Sequence, residues 1–206
     1  MAYSPPASAH EFTLNIPEKD ISEWKQLLEL SKIAPDTWEG RQEDGRFGAS
    51  RQWLIDTKDY WLNKFDWRAQ EKHINSFPNY KIKIEDIDVH FIALFSEKKD
   101  AVPIIFMHGW PGSFVEFLPM LGLIREKYSA KDLPYHIIVP SLPGYTLSSG
   151  PPLDRDWTPP DSARVLDSLM KELGFSKYLA QGGDVGSFLG TAMALTYDSC
   201  VGVHCT

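Results

Sequence analysis

Hydrophobic positions change their period along this chain. Between Asp20 and about Leu30, Ile21, Trp24, Leu27 and Leu28 recur at three- and four-residue spacing, which predicts a helix. Residues 35–50 are rich in Gly, Asp, Glu and Arg and read as a polar loop. Two more helical stretches follow, over about 51–64 and 66–75. Near Tyr80 the pattern turns to strands. Residues 81–84 and 89–95 alternate or run apolar around Glu85-Asp86, which predicts a hairpin. Residues 102–107 (Val-Pro-Ile-Ile-Phe-Met) and 135–139 are short apolar runs, as expected of parallel strands buried on both faces. Phe114, Phe117, Leu118, Leu121 and Ile124 return to helical spacing, and Ser113 with Glu116 fits a capping box opening that helix. Val165, Leu166, Leu169, Met170 and Leu173 share the face of a helix over 161–173 that Gly174 ends. A strand from Tyr178, a helix to about Tyr197 and a last strand over 201–204 complete the series. Strands alternating with helices predict an α/β fold, a mostly parallel sheet with flanking helices. The expected layout is a disordered tail over 1–11, a helical N-terminal region over 12–78 and an α/β core over 79–206.

Two strand-to-helix turns carry the chemistry. The first is Tyr178-Leu-Ala-Gln-Gly-Gly-Asp184-Val-Gly-Ser187. It has the form of a nucleophile elbow, with aspartate where a serine hydrolase carries serine. Gly182 and Gly186 let the chain turn sharply and let strand and helix pack closely. The free N–H groups and dipole of the following helix favour an anion at the tip. Asp184 is therefore a candidate nucleophile that forms an ester with its substrate. The competing reading is an ordinary helix N-cap, a common place for aspartate. The second turn, His108-Gly-Trp-Pro-Gly-Ser113, follows the strand over 102–107. Such a Gly/Pro turn aims backbone N–H groups into the space above the sheet, as an oxyanion hole requires. The donors would be the N–H groups of Trp110 and Val185, with His108, Gly109 and Pro111 as the supporting loop. A tight turn without catalytic work is the alternative.

Composition narrows the classes. The apolar fraction of 43% suffices for a core over 206 residues. A net charge of −7 argues against nucleic acid or an anionic membrane surface as partner. The N-terminus has no basic segment followed by an apolar run, so neither a signal peptide nor a membrane anchor is expected, and a cytoplasmic location is the default. Cys200 and Cys205 form neither a metal spacing nor a disulfide framework. No metal cluster, P-loop or dinucleotide fingerprint is present, so no cofactor is expected. His90 reads as a structural strand residue, His108 as a hydrogen-bonded turn residue and His204 as the end of a strand. Ser187 is out of register for a serine nucleophile. The tryptophans, including Trp53, Trp61 and Trp67, are expected to pack the N-terminal region.

His108-Gly-Trp-Pro, Ser141-Leu-Pro-Gly-Tyr145 and Gln181-Gly-Gly-Asp-Val-Gly-Ser187 stand in the order and approximate spacing of α/β-hydrolase-fold epoxide hydrolases. The chain resembles above all the branch that includes the microsomal and fungal enzymes. The run from Asp59 to Arg68, with Phe77-Pro and Ile87-Asp-Val-His-Phe91, is similar to that branch's N-terminal region. The resemblance implies that Asp184 opens an epoxide to form a hydroxyalkyl ester, while lid tyrosines protonate the ring oxygen. A histidine paired with a second acid then activates water, and a vicinal diol leaves. Partners on this reading are a small hydrophobic epoxide and water. The family continues for roughly as long again, through a lid and the last core strands. The chain is therefore expected to be the N-terminal part of such an enzyme, inactive alone because base and lid tyrosines lie past Thr206. Self-association through an open sheet edge is a further expectation. A haloalkane dehalogenase also uses an aspartate here, but with tryptophan where this chain has Val185. A non-catalytic fragment is the reading from another class.

Overall fold

A computed structural model describes residues 3–206. Contacts divide the chain into two compact units, one of residues 14–73 and one of the preceding residues together with 74–206.

The smaller unit holds helices α1 (Glu18–Leu30) and α2 (Arg51–Asn63), and most of α3 (Trp67–Asn75). Glu71 ties it together. Its carboxylate accepts from the Ile16 N–H at 2.7 Å, from Arg68 at 2.7 Å and from the Trp67 indole at 3.3 Å. The Ile16 bond, with those of Arg68 and Trp67, holds the Glu71 carboxyl below its ordinary pKa against the opposing effect of burial. Trp24, Trp61 and Phe65 cluster with ring centroids 5.9 to 6.4 Å apart, as the sequence led us to expect of the tryptophans. Trp53 departs from that expectation, being 57% exposed on α2.

The larger unit is built on one seven-stranded sheet: β1 (His10–Glu11), β2 (Asn79–Ile84), β3 (Ile87–Leu94), β4 (Val102–Met107), β5 (Tyr135–Pro140), β6 (Tyr178–Gly182) and β7 (Cys200–Cys205), in the order β1-β2-β3-β5-β4-β6-β7. The sheet is mixed. The pairings β1–β2, β2–β3 and β3–β5 are antiparallel, whereas β5–β4, β4–β6 and β6–β7 are parallel. Side-chain alternation assigns the two faces. Val89, Phe91, Ala93, Ile105, Met107 and Ile138 join a core completed by α5 (Pro159–Glu172) and α6 (Val185–Thr196). From the other face Phe106 meets Phe117, 5.6 Å between centroids, in a 3-10 turn over Phe114–Phe117 that leads into α4 (Leu118–Lys127).

The expectation of a disordered tail over 1–11 is corrected across its described residues. His10 and Glu11 pair with Lys81 and Tyr80 along the edge of β2, and Tyr3 stacks on Phe175 and donates to the Leu173 carbonyl. Sequence without apolar periodicity gave no sign of this, because two residues suffice to pair with an edge strand and one ring suffices to anchor it. The capping box expected at Ser113 is also absent. Ser113 Oγ accepts from Val115 N–H, and the box forms at Thr158 and Asp161 instead.

Two buried polar clusters hold the sheet to its surroundings. Asp167 on α5 accepts from the Tyr178 hydroxyl at 2.8 Å, from Ser199 and from Lys171 at 2.6 Å, so α5, β6 and the entry to β7 share one carboxylate. His90 lies between Ser141 Oγ at 2.9 Å and Asn79 Oδ1 at 3.0 Å. Asn79 spends its amide hydrogens on the Ile74 and Phe77 carbonyls, so its oxygen accepts from His90, and Ser141 donates to the other ring nitrogen. The ring is neutral, with its pKa lowered to about 3 by burial and secondarily by Lys81.

Asp167→Ala leaves the Tyr178 and Ser199 hydroxyls buried without their acceptor, and a loss of about 3 kcal/mol is expected in urea unfolding, against about 1 kcal/mol for Tyr178→Phe. A second expectation concerns acid. Burial lowers His90, His108 and His136 alike from the ordinary 6.5. Each is neutral when folded and takes up a proton only when unfolded, so their contribution is present above about pH 6.5 and lost as pH falls toward His90's folded pKa near 3. The thermal midpoint should already decline between about pH 7 and 5, where carboxylates remain ionised; a flat midpoint across that range contradicts the assignment.

Candidate active site

The two motifs of the sequence meet because their strands are neighbours in register. β4 and β6 run parallel, with Met107 opposite Gly182, and both strands end there. Two turns thus leave the same carboxyl edge side by side, the usual place for a site in an open parallel sheet.

The β6–α6 turn is compressed by close packing. A Cβ on Gly186 would lie 2.2 Å from the Met107 carbonyl oxygen, and one on Gly182 would lie 2.3 Å from the Gly186 backbone. With the first turn of α6 pressed onto the end of β4, Gly183 and Asp184 must reverse the chain between them. Asp184 does so at φ 49° and ψ −122°, a conformation L-residues rarely adopt. It stands at the N-cap position of α6, yet its side chain does not cap the helix. The carboxylate reaches across to the other loop, where Oδ1 accepts from the Trp110 N–H at 2.7 Å. That bond, then the Val185 N–H, hold its pKa below the ordinary carboxylate value against a small desolvation effect. Ser187 lies in the first turn of α6 and donates its hydroxyl back to the Asp184 carbonyl.

The facing loop is fixed from beneath. His108 is fully buried; Nδ1 lies 3.0 Å from the Gly109 carbonyl and so carries the proton, leaving Nε2 to accept from the Leu142 N–H at 3.1 Å. Its ring meets Tyr145 edge-on at 5.1 Å. The histidine thereby joins the 108–113 loop to the Ser141–Tyr145 segment. Burial keeps it neutral, with the Gly109 bond opposing in part. Gly109 gives Asp184 room, since a Cβ there would fall 2.7 Å from the Asp184 Cβ. Trp110 is 70% exposed, so its amide is fixed while its ring stands in the open. Pro111 follows it at the rim.

The structure therefore brings Asp184, Trp110 and Val185 together, with His108 and Gly109 supporting them. His90 and His136 are buried elsewhere, and among the described residues no imidazole hydrogen-bonds to Asp184. The residue that sequence reasoning misassigned is Glu116. Its carboxylate lies against Gly112, where a Cβ would be 2.6 Å from Oε2, and not on the Ser113 amide. The three-residue spacing from Ser113 gave no means of telling these positions apart.

Sheet and elbow define an α/β-hydrolase fold, and comparison with known proteins agrees. Residues 102–202 match the family described as alpha/beta hydrolase fold, and residues 9–117 match the one described as Epoxide hydrolase N terminus. The structure is similar to the Aspergillus niger epoxide hydrolase, with a TM-score of 0.92 and 52% identity over all of this chain and 55% of the other. Epoxide hydrolase 1 of Sus scrofa is 33% identical over 98% of this chain and 46% of its own length. A provisionally named epoxide hydrolase of Dothistroma septosporum is 42% identical over 94% of this chain and 48% of its own. The chain belongs to the epoxide hydrolase family. It spans about half the length of the relatives it matches. Among the described residues, no helix is long and apolar enough to cross a membrane.

The packing at the elbow generates a prediction with its own control. Gly186→Ala must push α6 off β4 and is expected to cost several kcal/mol of stability in thermal or urea unfolding. Gly122→Ala, in α4 with open space at its Cβ position, should be neutral or stabilising by about 1 kcal/mol. Equal effects of the two variants would show that the close approach is not what holds the turn.

Proposed function

We propose that Asp184 is the nucleophile of an epoxide-opening reaction and that Trp110 and Val185 supply the oxyanion hole. The observation that carries this reading is the Trp110 N–H bond to Oδ1 from a residue that declines to cap its own helix. With Oδ1 held by the Trp110 amide, Oδ2 is the oxygen left to attack. It would displace an epoxide carbon from behind the ring oxygen, forming an Oδ2–C bond as the C–O bond breaks. Oδ1 then becomes the ester carbonyl without leaving its Trp110 donor. When water adds to Cγ, negative charge gathers on that same oxygen, where the Trp110 N–H already points. Collapse breaks the Cγ–Oδ2 bond, and the diol leaves carrying Oδ2.

The membership of this chain in the family supports the substrate class, an epoxide of mainly apolar character with water as the second reactant. The pKa directions support the first step. A carboxylate held below its ordinary range by backbone amides is ionised throughout neutral pH and needs no base to become nucleophilic. Since no imidazole among the described residues bonds to Asp184, the ester is expected to outlive its formation.

Intact-mass measurement after incubation with styrene oxide tests the reading. One adduct per chain should form, map to Asp184 and be absent from Asp184→Asn. Its rate of formation should stay level through neutrality and fall only in acid below the ordinary carboxylate range, because the proton must displace two N–H donors. An adduct that maps elsewhere, or survives Asp184→Asn, removes Asp184 from the role.

A further inference from the structure

We propose that the chain carries a second binding site, for a phosphate monoester, in a cavity at the opposite end of the sheet from Asp184. The cavity has a volume of about 410 Å³ and lies where β4 and β6 begin. Ala101 and Pro103 border it at the start of β4, and the turn from Gly174 to Lys177 borders it ahead of β6. β4 spans 6 residues, so this end of the strand stands roughly 20 Å from the end that carries the elbow. None of Asp184, Trp110 and Val185 lines the cavity. Three lysines do, Lys98, Lys99 and Lys177, against a single acid, Glu97. That local excess of positive charge stands in a chain whose net charge is −7. Lys177 is anchored by donating to the Asp198 carbonyl. The ammonium groups of Lys98 and Lys99 have no partner among the described residues.

Lysines at a surface do not by themselves make a site, and the observation that does so lies beneath them. His136 on β5 is only 5% exposed, yet it lines the same cavity. Its ring packs against Tyr3 and Phe175, with centroids 4.8 and 4.9 Å away. Nδ1 accepts from the Ser96 N–H at 3.2 Å. Burial lowers the imidazole's pKa, so above neutrality the ring is uncharged and its one proton sits on Nε2. That N–H has no acceptor among the described residues. It is not sealed in apolar packing either. Among the described residues, Gln181 Oε1 is the one fully buried side-chain nitrogen or oxygen without a partner. Solvent therefore reaches Nε2, through the cavity that the ring lines. A buried donor without a protein acceptor takes its acceptor from outside. One neutral N–H and two free ammonium groups bordering one cavity match the three terminal oxygens of a phosphate monoester, all of them acceptors. The fourth oxygen carries the organic part, for which the cavity has room and, in the rings of Tyr3 and Phe175, stacked at 5.2 Å, an apolar wall.

The full chain, with nitrogen-15 in its histidines, is titrated with phenyl phosphate at pH 7.5 and followed by NMR. The His136 signals, identified by their through-space contacts to the rings of Tyr3 and Phe175, should shift saturably, with the Nε2–H proton moving downfield. Phenol, which lacks the anion, should leave them in place. Lys98→Gln combined with Lys99→Gln removes two charge-assisted donors at exposed positions and should weaken binding about tenfold. Lys32→Gln, exposed in the smaller unit, removes the same kind of charge elsewhere and should leave binding unchanged. Inorganic phosphate, without the ring, should bind about tenfold more weakly than phenyl phosphate. His136 signals that stay fixed while phenyl phosphate binds overturn the site, as do shifts that never saturate or that the double lysine variant leaves unaltered. Inorganic phosphate binding as tightly as phenyl phosphate overturns the ester and assigns the cavity to the free anion.

Discussion

The approach of Gly186 to the Met107 carbonyl is the constraint on which the site depends. A helix backbone lies directly on the end of a strand, closer than any side chain permits. α6 therefore begins without a connecting loop, and the reversal falls on Gly183 and Asp184. An aspartate at positive φ costs on the order of 1–3 kcal/mol, which surrounding packing must offset. It does so through α6, whose Leu189 and Met193 are buried in the core shared by β4, β6 and α5. The strain is thus a consequence of packing apolar surface. Its product is a carboxylate turned toward the neighbouring loop, where it accepts from the Trp110 N–H.

That loop is held by a different kind of force. Nothing apolar fixes the Trp110 amide, since the tryptophan ring is largely exposed. The buried His108 does the work, donating from one ring nitrogen to Gly109 and accepting on the other from Leu142. A neutral imidazole suits this task because it offers one donor and one acceptor in fixed directions, and burial ensures that it stays neutral. Packing positions the acid and hydrogen bonding positions its donor. The parallel register of β4 and β6 makes the two arrangements face each other.

What was legible in the sequence follows from this division. Elements that bury a periodic stripe were readable: α5, the β2–β3 hairpin and the strands β4 to β7 all lie close to where the pattern placed them. Gly182 and Gly186 were readable as close-approach residues because only glycine fits such contacts. The convergence of Trp110, Val185 and Asp184 came from two motifs whose geometry is set by local turns. Contacts that rest on single residues were not legible. Tyr3 and the short β1 join the sheet without any period to announce them. The antiparallel pairing of β3 with β5 is a choice of strand order, which residue pattern does not encode. The chain from Thr146 through Ser141 and His90 to Asn79 joins residues more than sixty positions apart, and each alone is an unremarkable polar residue. Glu116 was misread for a related reason, because a capping box and a loop-backing carboxylate share one spacing.

The choice of donors around Asp184 has a chemical logic of its own. Among the described residues no cation bears on this carboxylate, and its pKa is lowered by backbone N–H groups alone. A lysine or arginine would stabilise the anion too, but in the proposed reaction its full charge would favour the resting carboxylate over a neutral ester. Amides discriminate less. They hold a carboxylate oxygen, an ester carbonyl and a tetrahedral oxyanion in turn, and they do so most strongly where charge is most concentrated. A preorganised pair of N–H groups can therefore serve two successive steps without moving. The cost of that arrangement is a carboxylate carrying its charge with no cation beside it among the described residues. The unpaired Glu116 nearby, whose proton affinity rises partly on that account, is where this charge is felt. Two carboxylates beside one loop, one supplied with backbone amides and one partly desolvated without them, thereby have proton affinities displaced in opposite directions.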